Sequence, residues 1–394
     1  MTIIFIFCLI SVFLMIFIYF IVNKKISRIS EKLELVSKID DSKMTNTKNN
    51  SPDEENSVTS EESNLPADEG NKGLNTQLNP FIPDQTQSVN YSKDEQDLTS
   101  SVLFKLTQAR IQGHSHKKSN PAIPCQDFGR AGILPNGCHV IIVSDGAGSS
   151  KLSHIASEFC VNTLYVNLQV FDFSSLRPNP DDKEQLQKNW KKAVLDLFGR
   201  TRNALMNLAT DNNIPPTDLY CTLLLVIKTE WGFLSANIGD GRSGVSNGKP
   251  HALSVPLQTF TVGATFFLIK KGWENIFRSY VKAVDDWTKI KYFFATTDGC
   301  QDFVMDQSDK GPRQGIYDNV LGDEARYDYN LPYEAFFDGL LASLNEVGNE
   351  PERNERLKRL IESGIYVLKG EEKVLKSISD PLLDDDKTLI IFHN

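Results

Sequence analysis

Short apolar runs that stop at an aspartate are the feature that most constrains this chain. "HVIIVSD" ends at Asp145, "GFLSANIGD" at Asp240 and "YFFATTD" at Asp298. "PCQDFG" sets Asp127 beside a short aromatic segment, and Asp385 and Asp386 stand immediately before "KTLIIF". Taken singly, each break reads as an ordinary turn, because Asp and Gly dominate turns for steric and hydrogen-bonding reasons. Taken together they predict a cluster, since packed sheets bring corresponding strand ends into one place. Clustered carboxylates repel, and burying them uncompensated is costly. Hard divalent cations resolve that conflict, and Mg²⁺ and Mn²⁺ favour carboxylate, carbonyl and water oxygens.

The six cysteines are scattered, with no CxxC pair and no Cys/His cluster. That argues against a zinc site or a disulfide framework and suits a reducing compartment. Two divalent ions about 3.5–4 Å apart can share a water, lower its pKa and present hydroxide to a phosphorus centre. Gly146 beside Asp145 would let a backbone carbonyl approach such an ion. Other routes to phosphoryl chemistry lack their signatures: there is no GxxxxGK[ST] loop, no kinase HRD or DFG set and no Cys nucleophile loop.

The 394 residues divide into three unlike parts. Residues 1–25 contain "IIFIFCLISVFLMIFIYFIV", an uncharged run from Ile3 to Val22. About 20 apolar residues match the roughly 30 Å hydrocarbon core of a bilayer. Lys24, Lys25 and Arg28 follow at once, which places the rest of the chain in the cytoplasm by the positive-inside rule. The expectation is a single-pass membrane protein anchored by this helix. Residues 26–98 begin with a helical spacing of Ile26, Ile29, Leu33 and Val36 and continue as an acidic, Asn/Ser/Thr-rich linker. Between Asp40 and Asp97 there are 13 acidic and 4 basic residues, which accounts for the whole chain's formal charge of −9. The remainder is close to neutral, so nucleic acid is excluded as an expected partner.

Residues 99–394 carry the alternating patterns of one domain. Strand-like runs are "HVIIVSD", "CTLLLVIKT", "GFLSANIGD", "TFFLIKK", "YFFATTD" and "TLIIF", and helical periodicity covers roughly 151–168, 181–210, 332–344 and 351–364. Glu230, Trp231 and Gly232 read as a tight hairpin between two of the strands. Strands that follow one another without an intervening helix exclude a strict βαβ alternation and favour layers of antiparallel sheet and helix.

In order, "SHKKSNPAIPCQDFG", "IIVSDGAGSSKLSHIAS", "SANIGDGRSG", "FFATTDGCQDFV" and "DDKTLIIF" resemble the motifs of metal-dependent protein phosphatases of the protein phosphatase 2C type. The nearest variant is the bacterial one with SH…QD and SDGAGS. The resemblance covers nearly all of residues 99–394. It implies an α+β fold, a sandwich of two antiparallel β-sheets flanked by helices, and hydrolysis of phosphoserine and phosphothreonine. It also implies a phosphorylated protein substrate, a cognate serine/threonine kinase and, with the anchor, a bacterial inner-membrane setting. Two Mg²⁺ or Mn²⁺ ions are implied, with a third bound more weakly. Asp145 is similar to the bridging carboxylate, with the Gly146 carbonyl as a ligand; Asp298 and Asp385 resemble the ligands of the second ion. Asp127 resembles the residue that holds metal-bound water, and Asp240 the one tied to the third ion.

Three departures from the pattern stand out. Gln126 replaces the usual Glu, Ala147 the His that follows the Asp–Gly pair, and Ala122 the phosphate-binding Arg. His114, His116, Lys117 and Lys118 are the nearby cations, and His116 is the candidate for binding phosphate or protonating the leaving group. These losses keep a second reading open, a membrane-tethered pseudophosphatase that binds phosphoprotein without hydrolysing it. The four tryptophans, His139, His154 and Cys300 read as packing or surface residues.

Overall fold

In the computed structural model the described residues are 103–176, 183–254, 265–305, 331–374 and 384–394. The expected membrane helix, the acidic linker and half of the segment between "GDGRSG" and "TFFLIKK" lie outside them. Among the described residues no helix is long and apolar enough to cross a membrane.

Among the described residues there are twelve strands: β1 (Lys105–Ile111), β2 (Phe128–Ile133), β3 (His139–Ser144), β4 (Leu223–Lys228), β5 (Gly232–Ile238), β6 (Arg242–Ser246), β7 (Pro250–Ala252), β8 (Arg278–Ala283), β9 (Tyr292–Thr296), β10 (Ile365–Leu368), β11 (Glu371–Val374) and β12 (Lys387–His393). They make two five-stranded sheets, ordered β1-β12-β9-β6-β7 and β2-β3-β4-β5-β8, and a β10–β11 hairpin. Every pairing among these strands is antiparallel. The helices are α1 (His114–Lys118), α2 (Ser153–Gln169), α3 (Lys183–Asp211), α4 (Gln301–Val304), α5 (Glu334–Leu344) and α6 (Glu350–Ser363).

The continuous apolar runs are explained by burial on both faces, because alternate residues of a strand point to opposite sides. Ile141 and Val143 of β3, Leu224 and Val226 of β4 and Phe233 of β5 meet Phe293, Ala295, Ile390 and Phe392 of β9 and β12 between the sheets. Their neighbours Val140, Ile142, Leu223, Leu225 and Leu234 face the other way, under α2 and α3 with Trp190 and Phe198. On the far side, Tyr292, Phe294, Leu389 and Ile391 pack beneath α5 and α6. Each Leu, Ile or Phe buried in this way contributes about 1.5–3 kcal/mol. The four-layer sandwich of the sequence reading is therefore present, helix upon sheet upon sheet upon helix.

One strand expectation fails. "TFFLIKK" is an irregular segment running into a turn at Leu268–Lys270. Leu268 and Ile269 are buried side by side in the core under the helices, which the alternation of a strand does not permit, while the Lys270 N–H closes a turn on the Phe267 carbonyl at 3.2 Å. The hairpin at Glu230–Gly232 and the four long helices fall where the periodicity puts them.

Candidate metal centre

Antiparallel pairing brings the aspartates together. β3 and β5 both pair with β4, so their C-terminal ends lie on one side, and β2, running against β3, begins there. β9 ends where its partner β12 begins. Asp127, Asp145, Asp240, Asp298, Asp385 and Asp386 all sit at these ends.

Asp145 is zipped onto the approach to β4. Its N–H donates to Thr222 Oγ1 at 2.9 Å, its carbonyl accepts from the Thr222 N–H at 2.8 Å, and the Ala147 N–H donates to the Tyr220 carbonyl at 2.9 Å. Gly146 is buried between the two halves of this arrangement. A Cβ there would stand 2.8 Å from the Gln126 carbonyl and 2.8 Å from Ser153 at the start of α2. Close approach, not a left-handed backbone, is what requires glycine. Asp240 follows Gly239, whose φ of 106° does need glycine, and the Thr265 side chain hydrogen-bonds to Asp240. Asp298 opens a short 3₁₀ turn after β9.

Carboxylate oxygens of Asp145, Asp240 and Asp298 lie within 4.8 Å of one another. Burial first, and then the Asp298 charge, raises Asp145 well above the usual carboxylate range. Burial raises Asp240, opposed by the Arg242 guanidinium. Asp298 is pushed to about 6 by burial and by Asp240, again against Arg242. Asp385 is outside this close trio and exposed at the rim, yet desolvation and the Asp298 charge lift it to about 6. Asp240 Oδ1 is buried with no hydrogen-bond partner among the described residues. Mutual repulsion, an orphaned carboxylate oxygen and an all-oxygen donor set fit a hard divalent cation.

Asp127 and Asp386 are held differently. Asp127 is 2% exposed and accepts from Thr297 Oγ1 at 2.5 Å, and that hydroxyl in turn accepts from the Thr388 N–H at 3.0 Å. Burial raises its pKa well above normal even against the Thr297 bond. Asp386, also 2% exposed, accepts from the Gly113 N–H at 2.7 Å, the Gln126 N–H at 2.5 Å and His116 Nδ1 at 3.0 Å. It ties α1 and the segment of Gln126 and Asp127 that leads into β2 to the turn before β12.

Sequence reasoning missed that role for Asp386, and it missed two buried cations. Arg242 donates to the Asp240 carbonyl and to Gln301 Oε1, the latter at 2.9 Å, and Lys387 Nζ donates to the Asp385 carbonyl at 2.8 Å. Arg242 lies inside the "GDGRSG" motif, two residues after Asp240, which was the available signal. The departures from the family pattern also have positions. Gln126 turns its amide to Ser153 Oγ at 2.7 Å, supporting the start of α2, and His114, Lys117 and Lys118 are exposed, leaving His116 as the basic residue of α1 tied to the acid network. Trp190 and Trp273 are core residues, His139 sits among Phe104, Phe293 and Phe392, and Cys300 is buried.

A sequence profile described as Protein phosphatase 2C matches residues 112–362. The chain belongs to the protein phosphatase 2C family. As a member it is a protein serine/threonine phosphatase, a phosphoric monoester hydrolase, in a family that uses divalent metal ions such as Mg²⁺ or Mn²⁺. Among solved structures, this protein phosphatase 2C is similar to the serine/threonine phosphatase Stp1 from Staphylococcus aureus, at 14% identity and a TM-score of 0.43 over 77% of this chain and 99% of that one. It is also similar to the S. agalactiae serine/threonine phosphatase, at 15% identity and a TM-score of 0.42 over 74% and 99% of the two chains. The serine-threonine phosphatase 2C from Toxoplasma gondii aligns at 13% identity and a TM-score of 0.45, over 75% and 96%. No curated protein sequence matches the chain.

Proposed function

We propose that this phosphatase hydrolyses phosphoserine and phosphothreonine in proteins at the Asp145–Asp240–Asp298 group, with Asp385 at its rim, and that Ile3–Val22 anchor it in a membrane with the catalytic domain in the cytoplasm. The observation that carries the catalytic part is the trio of carboxylates within 4.8 Å of one another, one of whose oxygens is buried with no partner among the described residues. Asp145, Asp298, Asp385 and the Gly146 carbonyl would hold a pair of divalent ions, and Asp240 a third. Bound there, such ions supply an acidified water and neutralise charge on the phosphoryl oxygens. The chain's own residues do the rest. Asp127, fixed by Thr297, holds an acceptor beside the trio to orient a water. Arg242 offsets part of the charge on Asp240 and Asp298, and Lys387 part of that on Asp385.

The test uses the full chain in detergent and follows phosphate release from a phosphothreonine peptide with Mn²⁺, with EDTA, and with Asp298→Asn. Release that needs Mn²⁺, is lost in the variant and exceeds release from a sugar phosphate supports the reading. Mn²⁺ binding without any release would support the pseudophosphatase instead. The anchor is tested separately, by whether the chain stays with membranes after carbonate washing and loses that property when residues 1–25 are removed.

A further inference from the structure

The Asp386–His116 pair has the arrangement by which a carboxylate fixes an imidazole for proton transfer. Asp386 is almost wholly buried, and two of its three hydrogen bonds come from backbone N–H groups, so it cannot swing. The third goes to His116 Nδ1 at 3.0 Å. That bond sets the ring's orientation and leaves Nε2 with no hydrogen-bond partner among the described residues, on a side chain that keeps 15% of its surface open. The turn that carries Asp385 packs against the start of α1: Ser115 Oγ donates to the Asp384 carbonyl at 2.5 Å, and a Cβ on Gly113 would overlap the Asp384 and Asp385 backbone. The imidazole is thus seated at the rim of the acid cluster by contacts that leave it little freedom. Ala147, next to Gly146, offers no proton donor of its own.

We propose that His116 is the proton donor to the departing seryl or threonyl oxygen and that Asp386 is its positioning residue. This rests on the proposed phosphatase centre. As the ester P–O bond breaks, its electron pair stays on the leaving oxygen, which takes the proton from Nε2. A water supplies the oxygen of the new bond to phosphorus, and solvent returns a proton to Nε2. Asp386 holds Nδ1–H throughout and stabilises the ring while both nitrogens are protonated, the pattern by which a buried carboxylate supports a catalytic histidine.

The leaving group decides the matter, because a good one needs no proton. With the full chain and Mn²⁺, kcat is measured on a phosphothreonine peptide, phenyl phosphate and p-nitrophenyl phosphate. His116→Ala should cost about 100-fold or more on the peptide, in keeping with general acid catalysis, and less than about 10-fold on p-nitrophenyl phosphate. Asp386→Asn should move the ratio in the same direction by a smaller factor, and His116→Gln should not restore it. A structural role for His116 lowers all three substrates alike, and that result overturns the proposal while leaving the phosphatase reading intact. Wild-type inactivity on every substrate would instead remove the reading beneath it. A second readout is independent of turnover. In metal-free protein with ¹⁵N-labelled histidine, His116 should show a protonated, hydrogen-bonded Nδ1 that Asp386→Ala abolishes. An unprotonated Nδ1 in the wild type also overturns the proposal.

Discussion

Two sets of carboxylates lie within one site and are treated in opposite ways. Asp127 and Asp386 are deeply buried, and each is met by donors: a threonine hydroxyl for one, two backbone N–H groups and a histidine for the other. Asp145, Asp240 and Asp298 are half-buried, face one another and include an oxygen with no partner among the described residues. The first set is satisfied by the protein and knits it together. The second is left in debt, which only a cation can settle. Burial and proximity alone do not mark a reaction centre; the unsatisfied acceptors do.

The largest expected effect breaks the second set. Asp298→Asn should lower phosphate release by at least about 100-fold, since even residues that only support metal ligands cost 10–100-fold. Its metal-free melting temperature should hold or rise, because one repulsive charge has gone. A collapse of metal-free stability would put Asp298 in the first set. For Asp386→Ala the expected loss is in folding itself, about 2–4 kcal/mol by urea denaturation, as buried donors are left unpaired. Asp386→Asn should lose less. Wild-type stability in the alanine variant would sink the distinction between the sets.

The pH dependence sharpens it further. Asp298 and Asp385 are lifted from 3.8 to about 6, so between those values the folded chain holds more protons than the unfolded one. Their contribution to stability therefore falls as pH rises through about 6. His139 and His393, held near 4 by burial, act in the opposite sense as pH falls, so the metal-dependent difference is the informative quantity. The rise in melting temperature on replacing EDTA by Mn²⁺ should be larger at pH 8 than at pH 5, and smaller at both in Asp298→Asn. An equal rise at the two pH values would show that Mn²⁺ does not compete with protons there. The smallest effect is expected outside both sets. Lys270, over the stacked Tyr220 and Phe267 rings, should change stability by no more than about 1 kcal/mol as Lys270→Ala, which calibrates the others.

Much of this was legible in the chain because β3, β4, β9 and β12 are interior strands covered on both faces, which forces uninterrupted apolar runs. The strands that went unread include β1, β2, β7 and β8, which are sheet edges, where a sequence such as "KLTQARI" or "RSYVKA" can stay half polar. α1 has five residues and no buried one, so it has no apolar period to find. The aspartates were found by their place at strand ends, but their division into two sets was not. In "DDDK", Asp385 is exposed and Asp386 buried, and residue type cannot tell adjacent aspartates apart. Which one turns inward is fixed by Gly113 and Gln126, more than 250 residues away in sequence.

The place of β12 has a consequence for how the molecule comes into being. This strand lies between β1 and β9, and the turn just before it supplies the anchor for α1 and for the segment of Gln126 and Asp127 that leads into β2. A nascent chain that has not yet yielded residues 385–393 has one sheet missing an interior strand and an acid cluster missing one wall.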